Sequence, residues 1–141
     1  MIEIKQQPGP VQPKRYQCLA RSLAPLRPVH DFHLMALNPV LLEARPWGPS
    51  VCLLVARLGL KKFSHEAVER GIAGICGHYA LMRRRHISRH HRWGQQVGTG
   101  FIASRACLYR ELNRGVAWLF SNHAEAMQKI CLERRSARPQ D

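Results

Sequence analysis

The densest chemical signal in this chain is a one-sign run: Arg83, Arg84, Arg85, His86, Arg89, His90, His91 and Arg92 crowd together, and no acid lies between Arg70 and Glu111. Charge runs that only face solvent usually mix their signs, so this one points to phosphate contact. Arginine suits that role because its planar fork binds phosphate bidentately. The same stretch offers a second chemistry. His86 and His90 are four apart and would share a helix face, where Cys76 or His78, with His91 nearby, could complete a tetrahedral zinc site. The spacing matches no strong zinc signature, and the surrounding arginines oppose a cation, so neither a metal nor a cofactor is assigned. Catalysis has the least support. The 9 acids are too scattered for a paired-carboxylate site. Cys107 lies near arginines that would lower its pKa but has no nucleophile motif around it, and GICGHY and GTGF lack the Lys-Ser/Thr of a phosphate loop. The chain is therefore expected not to be an enzyme, with no catalytic residue assigned; an unspecified hydrolase or transferase is the minor alternative.

The whole composition agrees with an anionic partner. The 22 Lys+Arg outweigh the 9 Asp+Glu, which gives a net charge of +13 over 141 residues, enough for one domain. The 5 cysteines form no CxxC pair, so a disulfide framework is not expected. The start of the chain has no secretory pattern, and the longest apolar run, Val51 to Ala56, is far short of the roughly 20 residues a membrane helix needs. A cytoplasmic setting without membrane contact is the expectation.

Periodicity then supplies the elements that must hold the basic run. Residues 1–15, with Pro8, Pro10 and Pro13, read as a flexible arm, and residues 16–135 as a single helical domain. Leu19, Leu23 and Leu26 predict a short helix, and Asn38-Pro39 starts another turn. Residues 51–58 suit a helix better than a buried strand, and Trp47 before them reads as a lid on the core. Ser64 is expected to begin the longest helix, with Val68, Ile72, Ile75, Tyr79 and Met82 on one face and Gly71, Gly74 and Gly77 as a close-packing stripe. Trp93 is expected on the core. Val116–Phe120 reads as a core plug, Asn122 opens a last helix, and residues 136–141 form a flexible tail. The expected fold class is all-α, a small multi-helix domain.

Residues 94–115, GQQVGTGFIASRACLYRELNRG, carry the most specific expectation. Gly98 supplies a small residue in a first helix, Phe101 would bury against a second, Ser104 would cap that second helix, Leu108 would face inward and Gly115 would close it. The string from Ala103 to Gly115 resembles the recognition helices of bacterial helix-turn-helix proteins, among them transposases and repressors. The resemblance implies that Ser104, Arg105, Tyr109 and Arg110 reach the major groove, with Arg114 on phosphate. Arg83, Arg84, Arg85, Arg89 and Arg92 would add backbone contacts. The expected function is thus a sequence-specific DNA-binding regulator of a bacterial or mobile element, possible as a homodimer. The alternatives are an RNA-binding or ribosome-associated protein, or a basic module that inhibits a nucleic-acid enzyme.

Overall fold

The computed structural model describes residues 1–5, 13–43 and 46–136. It corrects the all-α expectation. Six strands, β1 (Ile2–Ile4), β2 (Leu34–Ala36), β3 (Cys52–Ala56), β4 (Gly74–His78), β5 (Gln96–Gly100) and β6 (Trp118–Leu119), form one parallel sheet in sequence order. Helices α1 (Pro13–Ser22), α2 (Leu60–Glu69), α3 (Arg84–Arg92), α4 (Arg105–Asn113) and α5 (Ala124–Ser136) follow β1, β3, β4, β5 and β6, and two short 3-10 turns, Pro39–Leu42 and Pro49–Val51, fill the crossover from β2 to β3. The expected arm and tail fall largely on residues 6–12 and 137–141, outside the described residues.

Parallel strands covered on both sides read as unbroken apolar runs instead of alternating ones, which is how β3 passes for a helix in the sequence. Cys52, Leu53 and Leu54 are all fully buried. The expected long helix from Ser64 divides in the same way. Gly71, at φ +57°, stops the chain just after α2, and Gly74 begins a strand instead of continuing a turn. A β-carbon on Gly74 would collide with the Gln96 carbonyl of the neighbouring strand, so this glycine serves a strand–strand approach. Ser64 lies inside α2, whose N-cap is Gly59.

Strand alternation sorts the sheet into two faces. Ile2, Ile4, Leu34, Ala36, Cys52 and Leu54 pack with Leu19 of α1, Leu23 just after it and Ala67 of α2. Ala56, Ile75 and Val97 continue that layer with Leu60, Ile87 and Val116. This outer face, toward the helices, is the main core. The intervening residues therefore occupy the inner face: Glu3, Met35, Leu53, Val55, Cys76, His78, Gln96, Gly98 and Trp118. That face is concave. The rings of His33, just before β2, and Trp118, on β6, lie 5.1 Å apart, although four strand spacings on a flat sheet would separate their backbones by about 19 Å. The sheet is an open half-barrel.

Candidate functional site

In parallel α/β sheets, chemistry concentrates at the carboxyl ends of the strands, where the βα loops converge. Here that rim is built around His78, the last residue of β4. Its Nδ1 accepts the backbone N–H of Ala80 at 3.1 Å, so a neutral ring carries its proton on Nε2. Tyr79 flanks the ring at 4.7 Å, and Phe101 stacks on it at 4.9 Å and 27°. Phe101 holds a left-handed φ of +67° while 64% exposed. A non-glycine residue in that region is strained, and apolar burial does not repay it; its ring instead orients the imidazole.

A carboxylate shares the concave face with His78. Because Ile2 and Ile4 point to the helices, Glu3 points inward, and Lys5 follows β1 directly at its carboxyl end. Arg57, directly after β3, adds a cation at the same end. The carboxylates of Asp31, Glu43, Glu66, Glu69, Glu111 and Glu133 are in ion pairs, whereas Glu3 and, far from this face on α5, Glu125 have none among the described residues. Farther round, Gly100, Phe101, Leu119, Phe120 and Ser121 line a cavity of about 340 Å³ on the rim. The rim thus offers an imidazole with a defined proton position, a carboxylate, an ammonium and a guanidinium beside apolar walls. Those groups suit an anionic ester. The first five residues, IEIK included, hold the signal that could have found Glu3 and Lys5: apolar and polar residues alternate with period two.

The helix-turn-helix expected to carry the DNA-reading residues does not form. Residues 96–100, where the first helix of a helix-turn-helix would lie, form β5 between β4 and β6. Phe101 is exposed and Ile102 is buried, the reverse of what the motif needs. The second helix does form: Ser104 caps α4 by accepting the Cys107 N–H at 3.2 Å, Leu108 is buried, and Gly115 follows at φ +74°. Its polar side chains, however, are engaged within the protein. Arg105 pairs with Glu133 of α5 at 2.8 Å, Arg110 and Arg114 each reach Glu111 Oε1 at 2.8 Å, and Arg134 lies over the Tyr109 ring. Arg84, Arg85, Arg89 and Arg92 lie on α3 and Arg83 at its N-cap, none in a salt bridge among the described residues.

The suggested zinc ligands are also dispersed. Cys76 is buried on the inner face of β4, its thiol pushed up to about 12 by burial, and is inert. His90 points from α3 into the core. Gln95 donates to the carbonyls of Ala67 and Ile72, which leaves its Oε1 to accept from His90 Nδ1 at 2.8 Å; His90 Nε2 then accepts from the Ser64 hydroxyl at 2.9 Å. This Ser–His pair resembles a nucleophile and its base, but both residues are fully buried, so it ties α3 to α2. Burial holds the His90 pKa below the usual imidazole range, and neighbouring Arg89, His86 and His91 push the same way. No group of three or more His, Cys, Asp or Glu among the described residues is placed to hold a metal ion. Trp93, expected on the core, is 67% exposed, whereas Trp47 does pack on it, edge-on to Phe32 at 5.3 Å. No described helix is long and apolar enough to cross a membrane.

No family model matches the sequence, and no curated protein matches it. Solved structures do match the fold. A candidate glycerophosphoryl diester phosphodiesterase from Silicibacter pomeroyi superposes with a TM-score of 0.77 at 14% identity, covering 94% of this chain and 50% of that one. A second, from Agrobacterium tumefaciens, gives 0.72 at 14% identity, covering 95% of this chain and 57% of that one. A glycerophosphodiester phosphodiesterase from Parabacteroides distasonis gives 0.59 at 15%, covering 94% and 57%. The chain thus spans about half the length of each. This likeness overturns the helix-turn-helix reading and, with it, the DNA-binding regulator, its RNA-binding and inhibitor alternatives, and the expectation that the chain is not an enzyme. The chain has the α/β half-barrel fold of these phosphodiesterase-like structures.

Proposed function

We propose that this half-barrel binds a phosphodiester at the carboxyl-end rim of its sheet and takes part in hydrolysing it. The observation that carries this reading is His78: its Nδ1 is occupied by a backbone N–H, and Phe101, in a strained conformation, holds the ring at the rim. The Nε2–H can donate a hydrogen bond to the leaving oxygen as the P–O bond breaks, stabilising the charge that develops there while solvent supplies the proton. Lys5 and Arg57 supply positive charge for the non-bridging oxygens, where charge accumulates. Glu3 is the inner-face carboxylate available to accept a proton from the attacking water. The names of the structures with this fold support the substrate class. A cytoplasmic setting belongs to the same reading, supported by cysteines that are all free.

The test is hydrolysis of an aryl phosphodiester and of a glycerophosphodiester, with and without added divalent cation. Turnover is expected to fall about a hundredfold or more in His78→Ala, the range of a lost hydrogen-bond donor to developing charge. Lys5→Gln is expected to raise KM more than it lowers kcat. Activity retained in His78→Ala would overturn the assignment of that residue; absence of both turnover and saturable diester binding in the wild type would overturn the reading itself.

A further inference from the structure

A basic cavity lies outside the concave face. Between α3 and α4 a cleft of about 780 Å³ is lined by Tyr79, Arg83, Arg84, His91, Arg110 and Arg114 around a floor of Met82 and Ile87. Its size is that of a small-molecule site. Four guanidiniums face it, and the carboxylate they have nearby is Glu111, so the cleft keeps three net positive charges with His91 neutral.

Two independent features show that this charge is arranged and not merely crowded. Arg114 and Arg110 are held: Arg114 donates to Glu111 and to the Met82 carbonyl, and Arg110 donates to Glu111 with its guanidinium 5.0 Å from the centre of the Tyr79 ring. They present fixed donors, which lose little freedom when an anion docks. On the opposite wall, α3 starts at an Arg83 whose side chain makes no cap, and its first turn has no acid. Arg84 and Arg85 place positive charge on the positive end of a helix dipole, the unfavourable orientation. An anion beside Arg83 and Arg84 satisfies that end of the helix and the cations at once.

We propose that the α3–α4 cleft binds a small organic oligophosphate, one with at least two phosphoryl groups. Arg110 and Arg114 clamp one phosphoryl group, Arg83 and Arg84 close over the next, and the apolar floor and Tyr79 accept the organic part. The cleft adjoins the rim through Tyr79, whose ring flanks His78, but its arginines lie between α3 and α4, whereas His78 stands on the inner face of β4.

Inorganic tripolyphosphate and pyrophosphate serve as probes, titrated calorimetrically in about 0.15 M salt, where loose surface attraction is screened. One saturable site is expected on the wild type, with a raised Tm when occupied. The double variant Arg83→Gln, Arg84→Gln removes two exposed cations without touching the Glu111 network. Its affinity is expected to fall about tenfold or more per lost charge-assisted contact. Arg85→Gln, Arg92→Gln removes the same charge from the same helix outside the cleft and is expected to hold affinity within about threefold. His78→Ala is expected to bind the probe like the wild type, which separates this site from failure of the rim. Equal weakening in the two double variants, or no saturable binding to the wild type, overturns the proposal.

Discussion

Helices α3 and α4 both carry arginines and are equal in length, yet their arginines live differently. On α4 and its cap, Arg105, Arg110 and Arg114 each reach a carboxylate at 2.8 Å. On α3 the arginines Arg84, Arg85, Arg89 and Arg92 meet none among the described residues, while the helix's inner side carries the neutral His90 network. The difference comes from Glu111 and Glu133. Glu111, the first acid after the basic run, sits fully buried on α4 beside Arg110 and Arg114, and Glu133 of α5 takes Arg105, which leaves α3 uncompensated. Basic residues in a sequence therefore do not reveal which cations are free; that depends on where the few acids land.

The sharpest way to break the contrast is to remove a partner on α4. Arg114→Leu leaves Glu111 buried with only the half-exposed Arg110 and is expected to cost about 3 kcal/mol in urea unfolding, because an undercompensated buried charge is the expensive case. Arg89→Leu on α3 is expected to change stability by less than about 0.5 kcal/mol. Similar losses in the two variants would dissolve the distinction.

The pH response should come from histidines of α3 and from His33 before β2. Burial depresses the pKa values of His90, His33 and His86 from 6.5, so the unfolded chain binds protons more readily than the native one. Their contribution is full above the unfolded value and is lost as pH falls below it and through the folded values. Unfolding free energy should thus decline on the acid side of 6.5, and His90→Gln should flatten the decline while lowering stability at neutral pH. A pH profile unchanged by that substitution would show that His90 is not the group that titrates. The smallest effect concerns salt. Screening the uncompensated arginines of α3 is expected to stabilise the wild type by a few tenths of a kcal/mol between about 0.05 and 0.5 M salt, and by less in Arg89→Gln.

Local signals in the sequence were legible where a cap or breaker acts alone. Ser104 and Gly115 mark the ends of α4, and the Asn38 side chain accepts the Val40 N–H to open a 3-10 turn. The strands were not legible, because their two-sided burial removes the alternation that marks a half-exposed strand. Gly74 and Gly98 reinforced the error: each looks like a helix-packing glycine in sequence, yet each makes room for a neighbouring strand, Gly98 for Cys76 and Trp118. At the site, His78 was visible only as a possible metal ligand, since its partner Phe101 and the backbone bond that sets its tautomer depend on β4 and β5 being adjacent. Glu3 and Lys5 were hidden by neighbouring prolines that made the whole start look like an arm.

Because strand order in the sheet repeats order along the chain, each strand finds its partner after a single crossover, and no segment waits for a distant one. Loop closure therefore costs about the same at every step. Such a chain can begin folding at any adjacent strand pair and grow outward, as stacked repeats do. Its loosening should follow the same geometry in reverse: amide exchange would be fastest at the flanking strands β1 and β6, each with one neighbour, and slowest at β3 and β4, where the sheet has neighbours on both sides.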